Sequence, residues 1–593
     1  MATPLVGPPE LSLSKLTVST TTTTTANPRM GFTENNSATY LSTGNPCLDF
    51  FFHVVPETPP EQLVDRLTTA WDTNALVSLK LVCNLRGVRG TGKSDKEGFY
   101  TAALWLHKHH PKTLACNVRA VAEFGYFKDM LEILYRLLEG PEIRKKEKSE
   151  WLGRKREVMA RNVGRKKRKA TGDKEKVRGL RLEKTVAKAR KAFERYNRDP
   201  DYRFLHDRVS DFFAELLRSD MESYKAGELY KLSLAAKWCP SLDSSYDKAT
   251  LMCESVARKV FPREEYTEYQ GIEEAHYAYR VRDRLRKEIL VPLHKALELP
   301  EVYICANKWN DLPYTRVASV AMKLYKKHFY KHDQDRFTEY LEKVKTGKST
   351  IAAGALLPHE IIKSLHDSTG PEVAELQWKR MVDDMAKKGR LTNCMAICDV
   401  SGSMSGIPME VSVALGLLIS ELSEDPWKGK LITFSANPQF HTIKGDSLRS
   451  KTEFIERMEW GMNTDFQKVF DRILEVAVKG RLREEQMIKT VFVFSDMEFD
   501  QASRNGNRWE TDYMVIERKF KEKGYKKVPQ IVFWNLRDSG ATPVSSKQKG
   551  VALLSGFSKN LVTLFMEGEI LSPEAVMMKA ISGEEYQKLV VLD

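Results

Sequence analysis

Three oxygen-bearing side chains stand at alternate positions where an apolar run ends: Asp399, Ser401 and Ser403, in the stretch from Asn393 to Met404, NCMAICDVSGSM. If the chain leaves a buried strand there and enters a tight loop, eased by Gly402, all three turn toward one point. One carboxylate and two hydroxyls are hard donors, so that point suits a small hard cation, Mg²⁺ or another divalent ion. Two later segments supply further oxygens. Gly461 to Asp465 carries Thr464 and opens a helical stretch, while the apolar run Val491 to Phe494 ends at Ser495 and Asp496. Asp399, Ser401, Ser403, Thr464 and Asp496 then give five oxygen ligands and leave room for water or an incoming carboxylate. The chemistry this predicts is recognition: no neighbouring residue offers itself as base or nucleophile, and an enzyme is not expected. An esterase elbow at Ser401 would need Gly at position 399, where Asp stands.

Other motifs weigh less. Gly87 to Ser94, GVRGTGKS, satisfies the phosphate-loop pattern, which works only between a strand and a helix. Asn74 to Leu85 has helical spacing instead, so a basic, Gly-rich turn between helices is expected, able to touch RNA phosphate but not to hydrolyse nucleotide. His107, His109 and His110 end a helix before Pro111, where cationic or polar side chains suit the carbonyl end better than a metal cluster does.

The formal charge of +14 over 593 residues is concentrated in one place. Between Arg144 and Lys191 stand 21 Lys and Arg against 6 Asp and Glu, a net +15 that leaves the remainder close to neutral. The block is densest at Arg165, Lys166, Lys167, Arg168 and Lys169. Such a block attracts polyanions by releasing counterions, so RNA contact is expected here, and Lys166 to Lys169 also fits a nuclear import signal. Eight scattered cysteines with no CxxC pair favour reduced thiols in a cytosolic or nuclear setting, with Cys394 and Cys398 as small buried residues on one strand face. No apolar run reaches the roughly 18 to 20 residues of a membrane span.

Those residues must be positioned by two kinds of structure. Residues 1–44 are rich in Ser, Thr and Pro and are expected to be a disordered leader; a transit peptide is the lesser reading, because basic residues are sparse. From about 45 to 385 apolar residues recur at helical spacing, broken by Gly and Pro, which reads as stacked helix pairs interrupted by the basic stretch at about 141–200. From 391 to 593 short apolar runs (CMAIC, KLITFS, TVFVFS, PQIVFWNL and the VTLF after Lys559) alternate with amphipathic stretches. That is the rhythm of a mostly parallel sheet wrapped by helices, with Asp399 and Asp496 at strand ends, where ligands of such sheets sit.

The spacing Asp399-x-Ser401-x-Ser403, then Thr464, then Asp496 resembles the metal-ion-dependent adhesion site of a von Willebrand factor A domain. NLRGVRGTGKSDKEGFYTAALWLHKHHP, LSLAAKWCPSLDSSYDKA and IAAGALLPHEII are similar to the TROVE module of the Ro ribonucleoprotein autoantigen. The whole chain from about Pro46 resembles an uncharacterised plant family, domain of unknown function 2828, which joins the two. The resemblance implies a HEAT-like helical ring followed by a Rossmann-like A domain, RNA on the basic surface and central hole, and an acidic ligand on the metal. The expectation is a non-enzymatic RNA-binding scaffold. A protein-interaction scaffold without RNA, docking an acidic partner through the metal, is the alternative.

Overall fold

The computed structural model describes residues 29–35, 37–162, 173–367, 370–434, 438–458, 466–481, 483, 486–499, 512–525, 527–566 and 570–593. The first described element is a hairpin: β1 (Met30–Phe32) and β2 (Ala38–Tyr40) pair antiparallel, with Met30 opposite Tyr40. The expectation of disorder throughout residues 1–44 therefore fails from Met30 onward. The ordering is tertiary, which composition cannot reveal. Thr33 Oγ1 donates to the Phe499 carbonyl at 2.9 Å, and Tyr40 N donates to the Thr542 carbonyl at 3.0 Å.

From Pro46 to Ala386 the described chain is mostly helical. Proline at the first turn, where its missing N–H would be an orphan anyway, starts Pro46–His53, Pro60–Thr73, Pro111–Cys116, Pro200–Lys225, Pro358–Lys363 and Pro371–Ala386. Asn45, Asn74, Asp95 and Asp199 cap helices by accepting from first-turn amides. Pro200–Lys225 is the spine. It buries Leu205, Val209, Phe212, Phe213 and Leu217 at helical spacing against Pro111–Cys116, Val118–Phe124, Lys128–Glu139 and Met252–Val260.

The basic stretch is not a mere interruption of this body. It contains the helices Ile143–Asn162 and Asp173–Arg198. Their near ends are anchored to Lys128–Glu139: Arg144 Nε donates to Glu132 at 3.0 Å, and Lys188 Nζ reaches the Tyr135 hydroxyl at 3.2 Å.

The C-terminal unit holds a six-stranded sheet. Its strands are β3 (Cys394–Asp399), β4 (Lys430–Phe434), β5 (Gln439–Thr442), β6 (Thr490–Ser495), β7 (Gln530–Asn535) and β8 (Val551–Ser555), in the order β5-β4-β3-β6-β7-β8. All neighbours are parallel except the edge strand β5. Strand alternation assigns the faces. Cys398 accepts the close approach of Gly416 in the helix Ile407–Leu422, whereas Phe533, on the other face of β7, meets Phe466 in Phe466–Lys479. The sheet is thus covered on both faces. The VTLF stretch expected as a strand lies in a 3₁₀ turn, Lys559–Phe565; the last strand is β8, just upstream.

The end of β8 and the short segment after it join both ends of the helical body. Ser555 Oγ lies 2.8 Å from the Phe51 carbonyl, Asn560 Nδ2 donates to Val88 O at 3.2 Å, and Lys559 Nζ donates to the carbonyls of Gly354 and Leu356 at 2.9 and 3.0 Å. The terminal residue folds back as well. The Asp593 carboxylate accepts from the amides of Lys112 and Thr113, each at 2.9 Å.

Candidate functional site

From β3 the chain runs to β4 and β5 on one side, then crosses back to β6 on the other. The strand order therefore reverses between β3 and β6, the place where sheets of this type form a ligand crevice beyond their carboxyl ends. Cys398 is opposite Phe494, which puts Asp399 beside Ser495 and Asp496.

Asp399 is fully buried. Its Oδ1 accepts from Ser401 N at 2.9 Å, and its Oδ2 accepts from Ser495 Oγ at 2.6 Å. The Ser401 and Ser403 hydroxyls lie 3.0 Å apart, Ser401 buried and Ser403 exposed at the mouth. Gly402–Met404 forms a single 3₁₀ turn that lets both face the same side. Asp496, also buried, accepts from Glu498 N at 3.2 Å. The turn at Met497 has φ of +66°, uncommon for a side chain of that size, and Met497 N is held by Ser495 Oγ at 3.1 Å. Ser495 thus orders both halves of the crevice. Sequence reasoning named it only as a neighbour of Asp496, and the signal available was a hydroxyl directly before a strand-end carboxylate.

Burial raises the Asp399 carboxyl well above the usual carboxylate range, and the Asp496 charge pushes the same way. Burial raises Glu498 too, with repulsion from Asp496 and Glu34 added. Among the described residues no Lys, Arg or His forms an ion pair with Asp399 or Asp496, so none of those side chains compensates the negative charge at the crevice. No group of three or more His, Cys, Asp or Glu suited to a metal occurs among the described residues. The donors here are instead two carboxylates and two hydroxyls, hard oxygens whose uncompensated charge fits a small divalent cation.

Thr464 lies outside the described residues. The helix Phe466–Lys479 begins two residues later, and the Phe466 ring stacks 4.6 Å from that of Phe499, three residues beyond Asp496. Arg165, Lys166, Lys167, Arg168 and Lys169 also lie outside the described residues. The phosphate-loop pattern falls between two helices, Ala75–Arg86 and Lys96–His109, as expected of a turn. Its Lys93 is buried, donates to the carbonyls of Phe51 and Val54 and to Ser555 Oγ, and is pushed down to about 7 by burial. It faces the interior of the protein. His107 and His109 end Lys96–His109, and His110 caps it.

A helical body closed by an α/β unit, with an acidic, hydroxyl-rimmed crevice at the strand-order reversal, defines the kind of protein this is. Residues 33–391 match the family described as Domain of unknown function (DUF2828), and the chain belongs to that family. Residues 393–590 match a second, Domain of unknown function (DUF7788), so the boundary falls just before β3. The chain is also similar to Uncharacterized protein L728 of Acanthamoeba polyphaga mimivirus, 26% identical over 576 residues that cover 93% of this chain and 87% of that protein.

Proposed function

We propose that this chain is a non-enzymatic binding scaffold whose C-terminal unit is a von Willebrand factor A-like domain. Asp399, Ser401, Ser403, Thr464 and Asp496 form its metal-ion-dependent adhesion site for Mg²⁺ or another divalent cation. One observation carries the reading: two buried carboxylates sit side by side at the strand-order reversal, rimmed by hydroxyls, with no cationic side chain paired to either among the described residues. A bound dication would supply the opposing charge and leave one position for an acidic side chain of a partner or of this chain. Mg²⁺ or Mn²⁺ is expected to raise the unfolding midpoint of the intact protein, and Asp399→Ala to abolish that rise. The assignment falls if the wild-type chain binds neither ion at millimolar concentration, or if Asp399→Ala binds them undiminished.

RNA is the ligand we assign to the helical body, read as a TROVE-like array of HEAT-like repeats. The support is the net +15 between Arg144 and Lys191, a stretch that includes two helices anchored to the body at Glu132 and Tyr135. Reversing the charges of Arg165 to Lys169 is expected to weaken RNA binding at least tenfold and flatten its salt dependence. Equal affinity and equal salt slope in that variant would remove the segment from the interface. A scaffold that recognises protein alone is the second reading, favoured by Ser403 standing exposed at the mouth of the crevice. Metal-dependent capture of an acidic partner in the absence of RNA would distinguish it. We assign either scaffold to the cytosol or nucleus, a reading supported by eight scattered cysteines with no CxxC pair.

A further inference from the structure

We propose that a cavity in the helical body binds a nucleoside phosphate, free or as one unit of an RNA strand. The cavity measures about 530 Å³, inside the roughly 300–1,000 Å³ range of small-ligand sites. Its lining shares no residue with the Asp399 and Asp496 crevice. Its walls are the turn Ser241 to Asp243 and one continuous rod made of Glu274–Arg284, the π-turn Leu285–Leu290 and Val291–Ala296. Pro292 has no N–H to donate, and the ladder before it has slipped to the wider π pattern, a distortion that recurs at functional sites.

Tyr279, Arg282 and Arg286 follow one another at helical spacing and line the cavity with Leu242, Leu290 and Val291. Each has chemistry to spare. Arg286 is held only loosely by Asp283, at 3.5 Å, because Asp283 sits closer to Lys287 at 2.7 Å. Arg282 is oriented by Asp247 at 2.9 Å, yet its Nε, shielded from water, has no hydrogen-bond partner among the described residues. Arg286 keeps guanidinium N–H groups open to a phosphate oxygen, and Arg282 is held in place one helical turn before it. The Tyr279 ring is 70% exposed beside these donors, a platform on which a base can stack. Asp243 and Asp283 balance the two guanidiniums in the same wall, which disfavours a bare anion and favours a ligand that joins a phosphate to a donor-bearing ring.

The test uses the full chain, AMP, inorganic phosphate and a labelled oligouridylate. AMP or the oligonucleotide is expected to bind, phosphate alone more weakly, and Tyr279→Ala and Arg286→Ala each to weaken that binding about tenfold. Both side chains are more than half exposed, so the unfolding midpoints should stay at the wild-type value. Loss of both ligands, or of the oligonucleotide alone, makes the occupant a unit of a strand. Loss of AMP alone makes it a free nucleotide. Affinities for AMP and oligonucleotide both within twofold of wild type in both variants would overturn the proposal. Charge reversal at Arg165 to Lys169 should leave AMP binding unchanged, so failure of the basic segment and failure of this cavity are separable.

Discussion

Ser495 does more for the crevice than its short side chain suggests. Its hydroxyl donates to Asp399 at 2.6 Å and accepts from Met497 N at 3.1 Å, joining the ends of β3 and β6 through one atom. Ser495→Ala should therefore leave one buried carboxylate oxygen and one buried amide without partners, at a cost of about 1–3 kcal/mol. Chemical denaturation measures it, and a change under about 0.5 kcal/mol would mean the two strand ends are held by something else. The alternation of Asp399, Ser401 and Ser403 was legible in the sequence because it is local: a strand end followed by one tight turn brings those positions together. Ser495 was not, since its partner is 96 positions away and nothing in either segment announces the pairing. Lys93 shows the opposite failure of locality. Eight residues match a phosphate loop, yet the lysine turns inward to the carbonyl end of Pro46–His53.

At the scale of elements, β3 is held against Ile407–Leu422 at very close quarters. A Cβ added to Gly416 would lie 2.1 Å from Cys398 Sγ, far inside van der Waals contact. Alanine is the better helix former by about 1 kcal/mol, but forcing a methyl into that contact should cost about 1–3 kcal/mol. Gly416→Ala is expected to be destabilising on balance, and Gly416→Ala combined with Cys398→Ala to recover most of the loss by removing the sulfur. Additive losses in the double variant, measured by denaturant midpoints, would place the strain elsewhere. The strands read correctly from sequence, β3, β4, β6 and β7, are five or six residues long with apolar centres between turn signals. β5 is a four-residue edge strand with a half-exposed, partly polar face, and the β1–β2 hairpin draws its order from Phe499 and Thr542, so neither carries a periodic signal of its own. Helix starts were easier, because proline and Asn or Asp caps mark them directly.

Across the whole molecule, the first helices of the body are tied to the C-terminal unit by buried polar groups, and one of them makes that junction sensitive to acid. His53, at the end of Pro46–His53, is buried with Nδ1 3.0 Å from the Ser539 carbonyl and Nε2 3.1 Å from Thr542 Oγ1. That pairing suits the neutral ring: Nδ1–H donates to the carbonyl and Nε2 accepts from the hydroxyl. Burial, with the Arg66 charge adding to it, pushes the imidazole down to about 3. An unfolded chain takes up a proton on this histidine below about pH 6.5, whereas the folded chain refuses it until about pH 3. The stability His53 preserves is therefore complete above pH 6.5 and is lost progressively as the pH falls toward 3. Between pH 6.5 and 4.5 the unfolding free energy of the wild-type chain should fall with a slope that includes close to one proton from this residue. His53→Gln should lack that proton while remaining less stable than wild type at pH 8, because glutamine does not titrate and cannot reproduce both hydrogen bonds. Identical slopes for the two proteins would show that the junction is not the acid-labile part of the fold, and that the two units stay joined through Lys559, Asn560 and the Asp593 carboxylate instead.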